Sequence, residues 1–299
     1  MHIHTIDLNY QHTPHAIAAY LVMGSTGPVL VETGPMSTLQ NLVTALGQYH
    51  VTPSDIKHLL VTHIHLDHAG AAGWWAQQGT QVYVHHVGAP HLIDPSKLLA
   101  SASRIYGDKM DSMWGQTVPA PAEKVTILHD GNVVDVCGLS FTAIDTPGHA
   151  WHHHAFKLGD VGFVGDAAGM HLPDAPLVDM PAPPPEFHLD TWLQTIDKLA
   201  AHNFEAIYPT HFGRVDNVAE HLGILKVVMR AAAVFIRQQM EAGYTQEQII
   251  QLYNDWNRQR AKTTGATDEM IRQYETANPW YMSVQGIIRY WQKQGIGNR

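Results

Sequence analysis

The alternation of apolar and polar residues predicts that the chain opens with β-strands. Strand-like runs extend from His2 to Leu8, from His15 to Met23 and from Pro28 to Glu32, separated by turn-prone residues. We therefore expect a β-meander at the start of the chain. After Ser37, apolar residues recur at three- and four-residue steps, which predicts a helix capped by Ser37 that ends near Gly47.

The middle of the chain alternates strand and helix patterns. The first part reads as strand, helix and strand, at His58 to Thr62, Ala71 to Gln78 and Gln81 to His85. A second set of strands is predicted at Val125 to Leu128, Val133 to Val136 and Leu139 to Asp145, with His129-Asp130-Gly131-Asn132 as a hairpin turn between the first two. A further hairpin is expected to join Ala155 to Leu158 with Val161 to Val164.

Two proline-rich segments interrupt this rhythm. Residues 90–121 hold four prolines around the bulky side chains of Tyr106, Met110, Met113 and Trp114. We interpret this segment as a partly helical insertion that either lines a substrate pocket or forms a small satellite core. Residues 173–189 are too rich in proline for a helix or a central strand, which predicts a stiffened loop at the rim of a pocket. Asp190 is expected to cap the next helix.

Helix-forming residues dominate the chain from Val215 onward. Apolar residues at helical spacing predict one helix through Val218 to Met229, a second around Ile249 to Tyr253, and a third from about Asp268 to Trp291 that is broken at Asn278-Pro279. The chain is therefore expected to contain a mixed region at residues 1–213 and a helical region at residues 214–299.

The composition fits a folded protein that acts on a small molecule. Of the 299 residues, 45% are apolar, which is enough for a large core. Eighteen basic and 27 acidic residues give a net charge of −9, which disfavours nucleic acid as the main partner. The single cysteine, Cys137, precludes an internal disulfide and fits a reducing compartment. We predict a cytoplasmic protein, because neither a signal peptide nor a membrane-spanning apolar run is evident.

The strongest candidate chemistry lies in Thr62-His63-Ile64-His65-Leu66-Asp67-His68, directly after an apolar run. Imidazole nitrogens and carboxylate oxygens suit zinc and neighbouring first-row metals. On an extended backbone His63 and His65 share one side, while Asp67 and His68 follow on a turn and can face a second position. With 22 histidines in the chain, a histidine-rich surface loop is the alternative, but the strand that leads into the cluster favours a metal site.

Other histidine and aspartate residues follow strand patterns later in the chain. His149 ends the turn Asp145-Thr146-Pro147-Gly148-His149, Asp166 follows an apolar strand, and His211 follows Pro209-Thr210. A carboxylate such as Asp166 can bridge two cations, and we expect the four strand ends to converge on one mouth. His2 and His4 repeat the spacing of His63 and His65 without a carboxylate or third histidine, so we interpret them as residues of an edge strand.

These four motifs together resemble the binuclear metallo-β-lactamase superfamily, in particular its glyoxalase II-like hydrolases. The resemblance covers residues 1–213 and implies an α+β fold, a four-layer αβ/βα sandwich, whose catalytic domain is followed by a C-terminal helical extension at residues 214–299. It also implies two divalent cations, zinc or alternatively iron or manganese. The implied ligands are His63, His65 and His149 for one ion, Asp67, His68 and His211 for the other, and Asp166 as the bridge.

Two further histidines have alternative interpretations. His153, four residues after His149, either contacts the ligands or the substrate or belongs to a solvated or structural cluster. His171 lies on a loop that could overhang the site. In glyoxalase II-like enzymes the C-terminal helices border the active site and bind part of the substrate; here they would act in that way, as a lid, or as a homodimer element. No glutathione-binding residues can be matched.

The function that these features predict is hydrolysis of a small thioester, carboxylic ester or lactone by a hydroxide that bridges two metal ions. Asp67 would act as the catalytic residue that orients this hydroxide and helps to pass a proton to the leaving group. Cleavage of phosphodiesters or phosphotriesters is the alternative among hydrolases. An iron-binding redox protein is less favoured, because His65 stands where such relatives have glutamate. We expect neither nucleic acid nor a membrane as a partner.

Overall fold

Strand-forming apolar runs build two sheets in the computed structural model, which describes residues 2–296. Within those residues, six strands form the first sheet: β1 His2–Asp7, β2 Ala18–Met23, β3 Pro28–Val31, β4 His58–Leu60, β5 Gln81–His85 and β6 Val125–Leu128. The second sheet contains β7 Val133–Val136, β8 Leu139–Asp145, β9 His154–Leu158, β10 Val161–Gly165 and β11 Ala206–Pro209.

The helices lie between and after these strands. Those before β6 are α1 Leu39–Gln48, α2 Leu66–Ala69, α3 Ala72–Gln77, α4 Ala89–Ile93, α5 Ser96–Tyr106 and α6 Met110–Trp114. The later helices are α7 Leu189–Ala201, α8 Val218–Glu241, α9 Gln246–Thr263, α10 Asp268–Ala277 and α11 Trp280–Lys293. The interruption between α10 and α11 falls at Asn278-Pro279, which confirms the predicted break. None of the helices in residues 2–296 has both the length and the apolar character needed to cross a lipid bilayer.

The first sheet combines the predicted meander with parallel strands. β1, β2 and β3 pair antiparallel, and β3 to β6 then pair parallel in chain order. Parallel neighbours need crossover connections, which the helices after β3, β4 and β5 supply. The outer face of this sheet packs against α1, α3 and the insertion helices, with Leu42, Trp75 and Ala102 in a shared core.

The second sheet has the order β11-β10-β9-β8-β7. The hairpin expected at His129 to Asn132 is wrong, because β6 pairs parallel with β5 in the first sheet while β7 pairs antiparallel with β8 in the second. The segment does turn, since the His129 N–H donates to Asn132 Oδ1 at 2.9 Å. Turn chemistry is local, however, and does not determine which sheet each flanking strand joins.

The two sheets pack face to face and carry helices on their outer faces, which confirms the four-layer α+β sandwich. Tyr20, Phe141 and Phe163 belong to the hydrophobic core between the sheets. On the far side of the second sheet one continuous core joins Trp192 of α7 to Ile236 of α8 and Val284 of α11. The C-terminal helices thus share a core with the second sheet. The predicted mixed region begins at Met1 and the predicted helical region ends at Arg299; both of these residues lie outside the described part of the chain.

Two predicted helix caps are wrong. Ser37 lies in a 3-10 turn before α1, and its hydroxyl donates to the Met113 carbonyl at 2.6 Å instead of capping the helix. α7 is capped by His188, whose side chain accepts the Thr191 N–H. Asp190 instead accepts a hydrogen bond from the Tyr290 hydroxyl at 2.8 Å. In both cases a partner distant in sequence takes the side chain that the local pattern assigns to the cap.

Candidate metal centre

Polar side chains follow the ends of strands from both sheets. His63 and His65 come after β4, His149 after β8, Asp166 directly after β10 and His211 after β11. The turn expected to carry Asp67 and His68 is the short helix α2. The structure therefore brings together all seven side chains that the sequence motifs single out.

These side chains form two adjoining groups of potential metal ligands. The first group consists of His63, His65, His149 and Asp166, and the second of Asp67, His68 and His211. Within each group, every residue offers one ligand atom, and these atoms all lie within 4.8 Å of one another. In the first group, Nδ1 of His65 lies 2.9 Å from Nε2 of His63 and 2.9 Å from Nε2 of His149.

The carboxylate of Asp166 lies between the two groups. Its Oδ2 is 3.2 Å from Nε2 of His149 and 3.4 Å from Nε2 of His68, and its Oδ1 is 3.5 Å from Nε2 of His211. Within the second group, Oδ2 of Asp67 lies 3.4 Å from Nε2 of His211. Asp166 therefore contacts both groups, with Oδ2 beside His149 of the first and His68 of the second, and Oδ1 beside His211 of the second.

Hydrogen bonds outside the centre determine which ring nitrogen of these histidines carries the proton. Nδ1 of His149 lies 2.8 Å from the Pro181 carbonyl, and Nδ1 of His211 lies 2.6 Å from the Ala16 carbonyl. A carbonyl oxygen only accepts, so both Nδ1 atoms must donate. In the neutral ring Nε2 then carries a lone pair that faces the centre, which is the arrangement usual for histidines that bind metals.

Glu32 supports the centre in a way that the sequence motifs did not reveal. This carboxylate is almost completely buried, accepts the Thr62 hydroxyl hydrogen, and has Oε1 3.5 Å from Nδ1 of His68. Thr62 Oγ1 also lies 3.1 Å from Nδ1 of His63. Glu32 follows β3 directly, so its position after an apolar strand is the feature of the sequence that could have identified it.

Burial and mutual charge shift the pKa values of these groups in opposite directions. Burial and the neighbouring imidazoles hold the pKa of His63 well below its usual range, and burial with His149 lowers the pKa of His65 to about 3. Against the effect of burial, the imidazoles of His68 and His149 lower the pKa of Asp166 well below that of a free carboxyl. The histidines of the first group are therefore neutral at pH 7 beside an ionised carboxylate.

The donor set fits divalent cations. Nε2 of His68, Nε2 of His211 and Oδ1 of Asp166 are buried and have no hydrogen-bond partner within residues 2–296. Buried polar atoms are seldom left without partners, and here they converge with the lone pairs of three more imidazoles. Neutral imidazole nitrogens and ionised carboxylates are the ligands that zinc and related metals take.

A second unforeseen pair, His152 and Glu186, adjoins His65. Nε2 of His152 lies 3.0 Å from Oε2 of Glu186, and one nitrogen of His65 lies within 4.8 Å of both. Burial opposes ionisation of Glu186, but the contact with His152 lowers its pKa to about 2. His152 precedes His153 in the sequence, and Glu186 follows three consecutive prolines of the rim loop, but neither residue directly follows an apolar strand as Asp166 does.

His153 and His171, each of which had two interpretations from the sequence, contact the site through hydrogen bonds that involve backbone groups. His153 is fully buried, with Nδ1 2.7 Å from the Thr146 hydroxyl, and its Nε2 accepts the Asp166 N–H at 3.1 Å. It therefore supports the position of Asp166 and is not solvated. The His171 N–H donates to the His211 carbonyl at 2.7 Å, while its ring lies 5.7 Å from that of His221 and does not line the cavity beside the centre.

That cavity has a volume of about 250 Å³ and begins at His65, Asp67, His149 and Asp166. Its walls come from α5, α6, the proline-rich loop and the connection between α10 and α11, and they are mostly apolar. Of residues 90–121, Tyr106, Met113 and Trp114 line this cavity, and they pack on the main core of the first sheet rather than in a small satellite core.

Known proteins match the chain in sequence and in fold. The family model of the metallo-beta-lactamase superfamily matches residues 12–211. A metallo-beta-lactamase fold-containing protein of Sulfurisphaera tokodaii is 23% identical over 226 residues, which cover 74% of this chain and 82% of that protein. A solved metallo-beta-lactamase family protein of Thermus thermophilus is 21% identical, with a TM-score of 0.67 over 98% of this chain and 94% of that one. The latter likeness concerns the fold alone.

A fungal relative carries a name that refers to a reaction. The atrochrysone carboxyl ACP thioesterase of a Cryptosporiopsis species is 27% identical over 158 residues, or 52% of this chain. The chain spans only 37% of the length of that protein.

Proposed function

The chain belongs to the metallo-β-lactamase superfamily, and on that premise we propose that it is a metal-dependent hydrolase of small acyl thioesters, with carboxylic esters and lactones as related substrates. One observation carries the proposal: seven potential ligands converge beside a mostly apolar cavity, and four of them, His65, Asp67, His149 and Asp166, line it. The thioesterase name of the fungal relative supports the choice of thioester. A glyoxalase II-like position within the superfamily is part of the same proposal.

The two groups of ligands, which Asp166 connects, would hold two divalent cations: zinc, or alternatively iron or manganese. Such cations supply a water molecule of lowered pKa and a Lewis acid for the scissile carbonyl oxygen. The pKa of Asp67 lies at about 2, because His68 and His211 favour the ionised form more strongly than burial opposes it. Asp67 lines the cavity, so its carboxylate can accept a hydrogen bond from the attacking water and orient it.

The apolar walls favour an acyl substrate over a strongly charged one. Leu98, Ile105 and Met282 are among the apolar residues that line the cavity. Residues 276–279 also line it, which supports a role for the C-terminal region, residues 214–299, as a lid over the catalytic unit at residues 1–213. Phosphodiester cleavage is the second candidate function, because Lys97 lines the same cavity and could bind a phosphoryl oxygen.

The test combines metal analysis with a substrate panel. Protein purified without chelators is analysed for zinc, iron and manganese, and then assayed on acyl N-acetylcysteamine thioesters, p-nitrophenyl esters, lactones and bis-p-nitrophenyl phosphate. We expect thioesters to give the highest kcat/KM. Asp67→Asn and His65→Ala should each lower it by roughly 10²–10⁴-fold.

His2→Ala is the matched control, because His2 belongs to a histidine pair of the same spacing on β1 and is exposed. It should leave kcat/KM and metal content unchanged. Full hydrolytic rates in Asp67→Asn and His65→Ala with unchanged metal content would refute the proposed mechanism. A phosphodiester cleaved faster than every thioester would favour the second candidate.

A further inference from the structure

We infer that the chain forms a two-fold symmetric dimer in which the exposed face of α8 packs against the same face of a second copy. The sequence leaves a homodimer element as one interpretation of the C-terminal helices, and α8 is the first of them. Such assembly lies beyond the proposed hydrolysis and can be measured without turnover. Apolar and charged residues on the surface of that one helix carry the inference.

One side of α8 carries an apolar stripe that faces solvent. The stripe consists of Ile224, Val227, Ala231 and Val234. Ile224 is 42% exposed, Val227 66% and Val234 50%, whereas the opposite side of the helix is buried in the core that α7 and α11 share with the second sheet. Single exposed apolar residues are normal on a protein surface, but a run of four on one helix face indicates a surface that another molecule covers.

The spacing of the stripe fits a second helix. Its residues follow one another at steps of three, four and three, which places them in a line along the helix and is the repeat of packed helix pairs. The stripe extends over about 15 Å, since each residue of an α-helix adds about 1.5 Å. Gly223, beside the stripe, is exposed and has open space at its Cβ position. A helix of the partner can therefore approach α8 closely.

Two charged residues border the first half of the stripe without partners of their own. Glu220 lies one turn before Ile224, and Arg230 lies one turn after Val227. Neither Glu220 nor Arg230 forms an ion pair or a side-chain hydrogen bond within residues 2–296. The neighbouring Lys226, in contrast, pairs with a carboxylate of α7. Opposite charges without partners thus lie at equal distances from the pair of Ile224 and Val227.

This order of residues is complementary to itself in the antiparallel direction. A two-fold axis between Ile224 and Val227 brings Ile224 of each copy opposite Val227 of the other, and Glu220 of each copy beside Arg230 of the other. A parallel arrangement would instead place Glu220 against Glu220 and Arg230 against Arg230. The symmetric placement of opposite charges favours a second copy over an unrelated partner, because an unrelated partner requires no such symmetry.

The first measurement is sedimentation velocity on protein purified without chelators. One helix pair is a small interface, so we expect the average mass to rise from the 33.2 kDa of one chain toward twice that value between about 5 and about 500 µM. Val227→Lys should keep the mass of one chain throughout, because dimerisation would bury the added ammonium without a partner. Val133→Lys is the control, since Val133 is 53% exposed on β7, away from α8, and this variant should dimerise like the wild type.

A wild type that keeps the mass of one chain at every concentration overturns the inference and leaves the stripe to a different partner. A Val227→Lys variant that dimerises like the wild type overturns it as well, because the dimer then uses another surface. Circular dichroism checks that Val227→Lys stays folded, which its exposed position leads us to expect.

The second measurement exchanges the charges and keeps the apolar stripe intact. Glu220→Lys and Arg230→Glu should each raise the dissociation constant of the dimer about 3- to 30-fold, because each variant places like charges together twice across the axis. The double variant should return to within about threefold of the wild type. Glu241→Lys, at the far end of α8, is the control and should leave the dissociation constant unchanged.

Recovery in the double variant cannot arise within one chain, since ten residues of helix separate Glu220 from Arg230 by about 15 Å. It therefore reports a contact between two copies in the antiparallel orientation. A double variant that associates as weakly as the single variants contradicts this orientation.

Discussion

Gly148 and Trp192 are in such close contact that a Cβ atom on Gly148 would lie 2.4 Å from Cα of Trp192. Gly148 also has a φ of +125°, a conformation that residues with side chains rarely adopt. Trp192 in turn donates its Nε1–H to the Ala167 carbonyl at 2.7 Å. One buried side chain of α7 thus contacts the residues beside two potential ligands, His149 and Asp166.

Replacing Gly148 by alanine should therefore disturb both folding and metal binding. The added Cβ must displace the backbone of α7 or of the turn that carries His149, at a cost of roughly 2–4 kcal/mol in the free energy of unfolding. Urea denaturation and metal content after dialysis measure the two effects. The control is Gly159→Ala, because Gly159 has a φ of +57° but open space at its Cβ. If both variants lost the same stability and neither lost metal, the contact with Trp192 would be unimportant.

Asp166→Asn should reduce the number of metal ions bound per chain. The substitution keeps the shape of the side chain but removes the charge that faces both ligand groups. We expect the metal-to-protein ratio to fall by at least one ion after equilibrium dialysis, as measured by elemental analysis. Asp145→Asn is the control, since Asp145 also ends a strand and contacts a histidine, His85, outside the seven ligands. An unchanged ratio in Asp166→Asn would contradict the bridging position.

Glu186→Gln should weaken metal binding without removing a ligand. The Glu186 carboxylate and His152 adjoin His65, and partners of this kind orient a metal-binding imidazole. We expect the dissociation constant to rise roughly 10- to 100-fold in competition with a chromophoric chelator. Glu205→Gln removes an exposed carboxylate that pairs with Arg214, and it serves as the control. Equal affinities for the two variants would assign Glu186 to the cavity wall alone.

His221 should make the protein less stable as the pH falls below neutrality. Burial lowers the pKa of His221 to about 4, and its Nε2 donates to the Ala168 carbonyl at 2.7 Å. In the unfolded chain the pKa is about 6.5, so the unfolded state binds more protons between pH 6.5 and pH 4. The stabilising contribution is complete above pH 6.5, and about 2 kcal/mol of it is lost by pH 5.

The test of this pH dependence compares the wild type with His221→Gln, whose amide can still donate to the carbonyl. The free energy of unfolding is measured at pH 7.5 and pH 5. The wild type should lose about 2 kcal/mol more than the variant over this interval. His2→Gln replaces an exposed histidine and should behave like the wild type. Identical losses in the wild type and His221→Gln would show that His221 does not contribute.

The sequence by itself determined the fold class and the seven residues that converge on the candidate metal centre. Those residues are recognisable because each follows an apolar strand within a few positions, and strand ends meet at one edge of a sheet. The patterns of apolar residues also predicted the strands within a few residues, since periodicity is a property of each segment alone.

Only the tertiary structure decided which sheet β6 and β7 join, where Ser37 and Asp190 find their partners, and how Glu32, His152 and Glu186 support the ligands. Each of these features depends on contacts between residues far apart in the chain, as between Ser37 and Met113 or Asp190 and Tyr290. Local patterns contain no information about such pairs. The same holds for Tyr10 and Trp114, whose rings stack at 5.6 Å because residues 90–121 pack against the core of the first sheet.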